Sequence, residues 1–230
     1  EKHKPFFEDN QLSFFEMTVG LAIDYFRNEK VDVAIIEVGM GGRLDSTNII
    51  TPEVSVITNI GLDHTQFLGN TLERIASEKA GIIKKAVPVI IGETLPETKR
   101  VFEEIASERN APIVFAETCD ATGYTSDLKG FYQQKNIKTV LVTLKVLKQK
   151  GWIISEEHIQ KGLSHTVKNT GLMGRWQILN ENPTAICDTA HNKEGLHMVL
   201  AQLAKEDFQN LHIVLGVVSD KDLDSVLPLF

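Results

Sequence analysis

Two nearly continuous apolar segments constrain the fold more than any other feature of this sequence. The segments VDVAIIEV (31–38) and VSVITNI (54–60) are rich in β-branched residues and contain few polar side chains. Runs of this kind are typical of parallel strands buried on both faces, because helices cover both sides of such a sheet. The sequence therefore predicts parallel strands in an α/β domain.

Helical patterns alternate with the apolar runs. A helix is predicted after Ser13, because Ser13 and Glu16 have the spacing of a capping box ahead of apolar residues at helical intervals. Further helices are predicted near Thr71–Lys84, Glu97–Arg109, Phe131–Lys150 and Glu156–Leu163, with short strands at Val87–Ile91 and Ile113–Phe115. This alternation predicts a mostly parallel central sheet flanked by helices.

A domain boundary is predicted within KNTGLMGRW (168–176), where two glycines and small polar residues interrupt the pattern. The segments RWQIL and TAICD, a helix from about Lys193, and LHIVLGVV then restart a rhythm of strand, helix and strand. We expect a first domain over 1–170 and the start of a second, Rossmann-like α/β domain over 171–230, which is incomplete at Phe230.

Composition and charge exclude several classes of partner and compartment. With 230 residues, 42% hydrophobic content and a net charge of −7, the chain can bury a sizeable core but has no basic field to attract nucleic acid or an anionic membrane. No apolar run reaches the roughly 20 residues that span a bilayer. Cys119 and Cys187 are too few for a disulfide framework or a CxxC metal site, so a reducing cytoplasm is expected.

The segment EVGMGGRLDSTN (37–48) places three glycines directly behind the first apolar run. In open α/β sheets, ligands bind beyond the carboxyl ends of the strands, and glycine lets the backbone approach a ligand closely. The segment lacks the GxGxxG pattern of dinucleotide-binding turns. Two interpretations stay open at this point: a tight turn beside a paired acid, or a turn that binds a ligand.

Glu37 lies one residue before the end of its predicted strand and His64 follows the next predicted strand, so both side chains are expected at one edge of the sheet. A carboxylate and an imidazole, with room for water and phosphate, suit a Mg²⁺ or Mn²⁺ ion bound together with a nucleotide. His64 is alternatively an ordinary polar loop residue. Lys79, in IASEKAGIIK, has the pattern of a solvated lysine on an amphipathic helix.

The motifs EVGMGGRLDSTN, ITNIGLDHTQFLG, IASEKAGIIK, GRWQIL and CDTAHN together resemble the folylpolyglutamate synthase and dihydrofolate synthase family, within the wider Mur ligase superfamily. The resemblance covers nearly the whole chain. It implies a Mur ligase central domain and an ATP-dependent ligase that adds L-glutamate to dihydropteroate or folate through an acyl phosphate. The enzyme is expected to be a cytoplasmic monomer.

The resemblance implies a role for seven residues. Glu37 and His64 match the magnesium ligands of the family, and Lys79 matches the lysine that carries a carbamate in relatives. Arg175 matches an arginine that reaches the nucleotide phosphates. Residues expected around the ribose and adenine of ATP are Asp188, His191 and Asn136.

Two departures from the family pattern leave alternatives open. The phosphate-binding GxxxxGK[ST] turn of the family does not occur in this sequence. We expect that the chain begins after that turn and that it is inactive alone. Thr189 stands where many relatives have glycine, and the expected effect is local. A Mur-type ligase acting on a peptidoglycan precursor and a non-catalytic nucleotide-binding protein are the alternative functions.

Overall fold

The computed structural model describes residues 3–217 and 223–230. The helices are α1 Lys4–Asp9, α2 Phe14–Glu29, α3 Thr65–Leu68, α4 Leu72–Ala80, α5 Pro96–Glu108, α6 Gln133–Gln149, α7 Glu156–Ser164, α8 Thr166–Thr170, α9 Lys193–Leu203 and α10 Leu223–Val226. The strands are β1 Ser55–Ile57, β2 Val89–Ile91, β3 Ile113–Phe115, β4 Gln177–Glu181 and β5 Thr184–Cys187. Short 3₁₀ helices occupy Ser46–Ile49, Ala116–Thr118 and Leu227–Leu229.

Strands β1, β2 and β3 form a three-stranded parallel sheet in that order. All three residues of β2, Val89, Ile90 and Ile91, are fully buried, as expected for a central strand covered on both faces. The predicted α/β class is therefore confirmed, and the predicted strand at Ile113–Phe115 has the bounds of β3.

The start of α2 confirms the predicted capping box. The Ser13 hydroxyl accepts a hydrogen bond from the Glu16 amide, and the Glu16 carboxylate accepts one from the Ser13 amide. These two bonds satisfy amides that have no partner within the helix. The other four helices predicted before residue 170 correspond to α4, α5, α6 and α7. Each forms within a few residues of its predicted ends.

Two segments predicted as strands are not strands. Residues 31–38 form no β-ladder with any described residue, and Ile35 is 93% exposed. Residues 211–217 likewise lack strand structure, Val214 is 99% exposed, and Val218 lies outside the described residues. A backbone becomes a strand only when a neighbour supplies its hydrogen-bond partners, and apolar composition alone does not provide that neighbour.

Backbone packing divides the chain into two compact units. The first comprises Glu1–Ser55, His64–Val89 and Pro96–Pro112, and the second comprises Val56–Asp63, Ile90–Leu95 and Ile113–Phe230. In the first unit, α4 packs against α5. The buried residues of these two helices include Ile75, Ala76, Ala80, Phe102 and Ala106.

In the second unit, α6 and α7 share an apolar core. Ile137 and Leu141 lie one helical turn apart on α6, and Ile159 and Leu163 have the same spacing on α7. Strands β4 and β5 form a separate antiparallel sheet, which confirms both as strands. The boundary between 1–170 and 171–230 stays a prediction.

Candidate functional site

Asp45 organises the glycine-rich segment 37–48. Its Oδ2 accepts hydrogen bonds from the amides of Gly39 at 3.0 Å and Met40 at 2.9 Å, while its Oδ1 accepts from the amide and hydroxyl of Thr47 at 2.9 and 2.5 Å. Partial burial opposes ionisation, but these hydrogen bonds outweigh it and lower the pKa of the carboxyl. Gly41, between the two sets of donors, has a φ of +68°, which glycine adopts at little cost.

The same segment docks on the carboxyl end of α4. The Arg43 amide donates to the Glu78 carbonyl at 2.8 Å, and the Arg43 guanidinium binds the Glu78 carboxylate through Nε and Nη2. Asn48 donates from Nδ2 to the Gly81 carbonyl at 3.0 Å, and Lys84 donates to the Asn48 carbonyl at 2.7 Å. The glycine-rich segment therefore has a structural role, since it holds the end of the helix that carries Lys79.

Lys79 lies in the last turn of α4 and is half-buried. A Cβ atom on Gly42 would approach the Lys79 carbonyl oxygen to 2.8 Å, so the close packing of the segment on this turn requires glycine. The backbone on both sides of Lys79 is thus held by the 37–48 segment. The proposed carbamate on its side chain stays a prediction.

Glu37 and His64 belong to the first compact unit and are both exposed. His64 precedes α3 with a left-handed backbone, φ 50° and ψ 36°, and its carbonyl accepts from the amides of Phe67 and Leu68. The part of the chain that the structure describes contains no group of three or more His, Cys, Asp or Glu residues that could hold a metal ion. A two-residue set of carboxylate and imidazole still fits Mg²⁺, which usually retains water and substrate phosphate as further ligands. That Glu37 and His64 share one ion stays a prediction.

Asp188 is the centre of a second cluster, in the second compact unit. Its Oδ2 accepts from the Trp176 amide at 2.7 Å and from the Tyr132 hydroxyl at 3.5 Å, and its Oδ1 accepts from the Ala190 amide at 2.9 Å. Burial, together with the negative charge of Asp188, raises the pKa of Tyr132. Asp188 thus connects the residue that precedes α6 with the start of β4.

Arg175 and His191 join this cluster through Thr189. The Arg175 guanidinium donates to the Thr189 hydroxyl, which itself donates to the Gly174 carbonyl at 3.1 Å. His191 Nδ1 lies 3.0 Å from the Thr189 carbonyl oxygen. Three of the predicted nucleotide-binding residues, Arg175, Asp188 and His191, are therefore close together.

Asn136 lies on the first turn of α6 and is exposed. Its Nδ2 donates to Gln133 Oε1 at 2.8 Å. Its helix is tied to the cluster by Tyr132, which sequence reasoning had not identified. Its role toward adenine stays a prediction.

A protein-family model matches most of this chain. The model of the Mur ligase middle domain matches residues 8–180 of this chain. The chain belongs to the Mur ligase family. This confirms the superfamily suggested by the sequence motifs.

The curated relatives show which members of the Mur ligase family this chain is similar to. The folylpolyglutamate synthase of Lacticaseibacillus casei is 34% identical over 93% of this chain and 54% of its own length. The dihydrofolate synthase/folylpolyglutamate synthase of Escherichia coli is also 34% identical, over 95% of this chain and 53% of its own length. The chain therefore spans about half the length of the curated relatives that it matches.

A solved structure supports the same relationship. An FPGS–AMPPCP–folate complex is 30% identical and superposes with a TM-score of 0.84, covering 98% of this chain and 60% of that one. This similarity extends beyond the middle domain, since the family match ends at residue 180. The fold of this FPGS structure therefore accounts for nearly the whole chain.

Two structural residues were missed by sequence reasoning. Asp45 was absent from the candidate set, although an aspartate followed by Ser46 and Thr47 is a pattern typical of a local Asx turn or helix cap. Tyr132 carried no such pattern, because its contact with Asp188 joins residues far apart in the sequence.

Within the described residues, none of the helices is long and apolar enough to cross a membrane.

Proposed function

We propose that the protein containing this chain is an ATP-dependent ligase that adds L-glutamate to dihydropteroate, folate or both. The observation that carries the proposal is the similarity, over 98% of this chain, to an FPGS structure in complex with AMPPCP and folate. The cluster of Arg175, Asp188 and His191 supports it, because it combines a cation for phosphate oxygens with polar groups for a sugar.

The reaction proceeds in two group-transfer steps. An oxygen of the acceptor carboxylate attacks the γ-phosphorus of ATP, so that an O–P bond forms and the bond to ADP breaks. The glutamate amine then attacks the carbonyl carbon of the acyl phosphate, a C–N bond forms, phosphate leaves and the amine loses a proton. This protein needs no nucleophile of its own, since its work is positioning and charge neutralisation.

Arg175 is proposed to neutralise negative charge on the transferring phosphoryl group. Its guanidinium is fully charged at physiological pH and offers several donors in a planar array. Its bond to the Thr189 hydroxyl positions the group beside the Asp188 loop. Asp188 and His191 are proposed to face the ATP ribose, and Asn136 the adenine.

Glu37 and His64 are the proposed ligands of Mg²⁺. When bound, this ion would neutralise charge on phosphate oxygens and orient them for transfer. The side chains supply one anionic oxygen and one neutral nitrogen, and their exposure leaves room for water and phosphate. The ion would thus be held jointly by protein and nucleotide.

Lys79 is proposed to carry a carbamate. The neutral amine would attack CO₂, forming an N–C bond with loss of a proton, and the ammonium would be replaced by an anionic carboxylate. The fixed backbone around Lys79 would hold that group in one place. We further propose that the enzyme is a cytoplasmic monomer.

The test uses the complete protein purified from its host. Glutamate-dependent phosphate release from ATP is measured with dihydropteroate, with tetrahydrofolate and with a UDP-linked cell-wall precursor. Activity with either pterin supports the proposal. Activity with the UDP-linked precursor alone identifies a different Mur ligase, and binding of ATP without turnover of any acceptor identifies a non-catalytic protein.

The variant Glu37→Ala tests the proposed metal ligand. Glu108→Ala, an exposed glutamate on α5, is its control. We expect Glu37→Ala to lower kcat by on the order of 100-fold, because it removes a proposed metal ligand. Its unfolding midpoint should remain that of the unaltered protein, since Glu37 is exposed. Unchanged kcat in Glu37→Ala would refute the metal assignment.

A further inference from the structure

The turn that follows β1 is held by the start of α9. Asn192 donates from Nδ2 to Asp63 Oδ2 at 2.8 Å, and the Leu62 amide donates to Glu194 Oε1 at 3.2 Å. All four residues belong to the second compact unit, although more than a hundred positions separate the two segments in sequence. We name these two hydrogen bonds the 63–192 clamp.

Both ends of the Asn192 amide are used. Its Oδ1 accepts from the Gly195 amide at 2.9 Å and thereby caps α9, while its Nδ2 makes the bond to Asp63. The two bonds require opposite ends of the amide, so together they define one orientation of the side chain. Asn192 therefore links the cap of α9 to the turn after β1.

Glu194 forms the second bond of the clamp, and the burial of its other carboxylate oxygen lowers the stability of the fold. Its Oε1 accepts from Leu62, but its Oε2 is buried and, within the described residues, has no hydrogen-bond partner. A buried carboxylate oxygen without a partner destabilises a fold, and each such group in a native structure calls for an explanation. Stability alone does not explain the placement of this side chain.

The residue next to the clamp is His64, the proposed metal ligand. His64 has a left-handed backbone, with a φ of 50°, which is unusual for a residue other than glycine. Such a conformation persists only when its surroundings hold it in place. The clamp fixes the two residues that precede His64, and the first turn of α3 follows it directly.

We propose that Asn192 and Glu194 are positioning residues that hold the backbone of His64 in the orientation required for metal binding. This inference rests on the proposed function. Because Asn192 directly follows His191, the clamp also connects the proposed ribose-binding loop with the turn that follows β1. Binding of nucleotide at residues 188–191 should therefore reduce the mobility of residues 61–68.

The variant Asn192→Ser removes the hydrogen bond to Asp63 but keeps the cap of α9. Serine caps helices as well as asparagine does, so α9 keeps its cap, but its side chain is too short to reach Asp63. Asp63→Ala removes the other partner and leaves the Asn192–Gly195 cap intact. Asn28→Ser, on exposed α2, is the matched control for the same chemical change.

The test measures amide hydrogen exchange of residues 61–68 in the complete protein, with and without ATP and Mg²⁺. We expect Asn192→Ser and Asp63→Ala each to accelerate exchange about fivefold, the factor that corresponds to one lost hydrogen bond. The double variant should exchange no faster than either single variant, because both remove the same bond. ATP should slow exchange in the unaltered protein and in Asn28→Ser, but not in Asn192→Ser.

A second measurement addresses the metal. The Mg²⁺ concentration for half-maximal activity should rise in Asn192→Ser but not in Asn28→Ser. Each variant loses one side-chain hydrogen bond, so a merely structural role of Asn192 would not produce this difference. Unchanged exchange at 61–68 in Asn192→Ser, or additive effects in the double variant, would overturn the inference. Absence of ligase activity in the unaltered protein would refute the proposed function, and the exchange data would still decide whether the clamp holds the turn.

Discussion

At the scale of single residues, Asp45 shows how a charged group can shape a loop. Its carboxylate accepts four hydrogen bonds from Gly39, Met40 and Thr47. These bonds lower its pKa despite partial burial. An aspartate with a lowered pKa stabilises the folded state only while it is ionised.

The stability contributed by Asp45 should therefore depend on pH. It is fully present above the pKa that an aspartate has in the unfolded chain, and it is lost as pH falls through the lower pKa of the folded state. Asp45→Asn should reduce the unfolding midpoint at neutral pH and flatten its dependence on acid. Urea unfolding between pH 7 and pH 3 measures both effects, and parallel curves for the two proteins would contradict this role.

Lys79 offers a chemical test at the same scale. In the complete enzyme, Lys79→Ala should lower ligase activity about 10- to 100-fold, as expected when a group that supports a metal site is removed. A short carboxylate added to the assay should restore part of the activity, because it can replace the anionic end of a carbamate. Lys85→Ala, an exposed control six residues along the chain, should behave as the unaltered protein does. Full activity of Lys79→Ala without additive would show that Lys79 is an ordinary helix residue.

At the scale of elements, the end of α4 depends on close packing against the 37–48 segment. A Cβ atom on Gly81 would lie 2.3 Å from Arg43 Cα, which the packing cannot accommodate. Gly81→Ala should therefore destabilise the protein by about 1–3 kcal/mol, as overpacking typically does. Gly162→Ala is the matched control, because Gly162 lies inside α7 with no atom within 4 Å of the added methyl group. It should stabilise the protein by about 0.5–1 kcal/mol, and chemical denaturation distinguishes the two outcomes.

Local signals made most elements predictable. The capping box at Ser13 contains within a few residues the information that defines the start of α2. Residues 31–38 carry an equally strong apolar signal but form no strand, because a strand depends on a partner that the segment itself does not encode. Sequence reasoning was reliable for helices with local signals and for apolar segments that pair with another strand. It failed for the two apolar segments that form no strand.

The candidate sites were predicted from the sequence only in part. Arg175, Asp188 and His191 were identified through resemblance to a family, and the structure places them in one cluster. The Tyr132–Asp188 bond in this cluster and the Asn192–Asp63 bond of the clamp each join residues far apart in the sequence. No spacing rule in the sequence could have paired them.

At the scale of the whole molecule, stability should be uneven along the chain. The three residues of β2 are fully buried, whereas four of the five residues of β4 are exposed. Local opening costs little where few apolar contacts must be broken, so the β4–β5 hairpin should open far more often than β2. The expected result is amide exchange at least about tenfold faster in β4 than in β2, measured by mass spectrometry of the same sample. Equal protection of the two strands would mean that the hairpin is held by contacts beyond those seen in this structure, and that the burial of its side chains does not determine its stability.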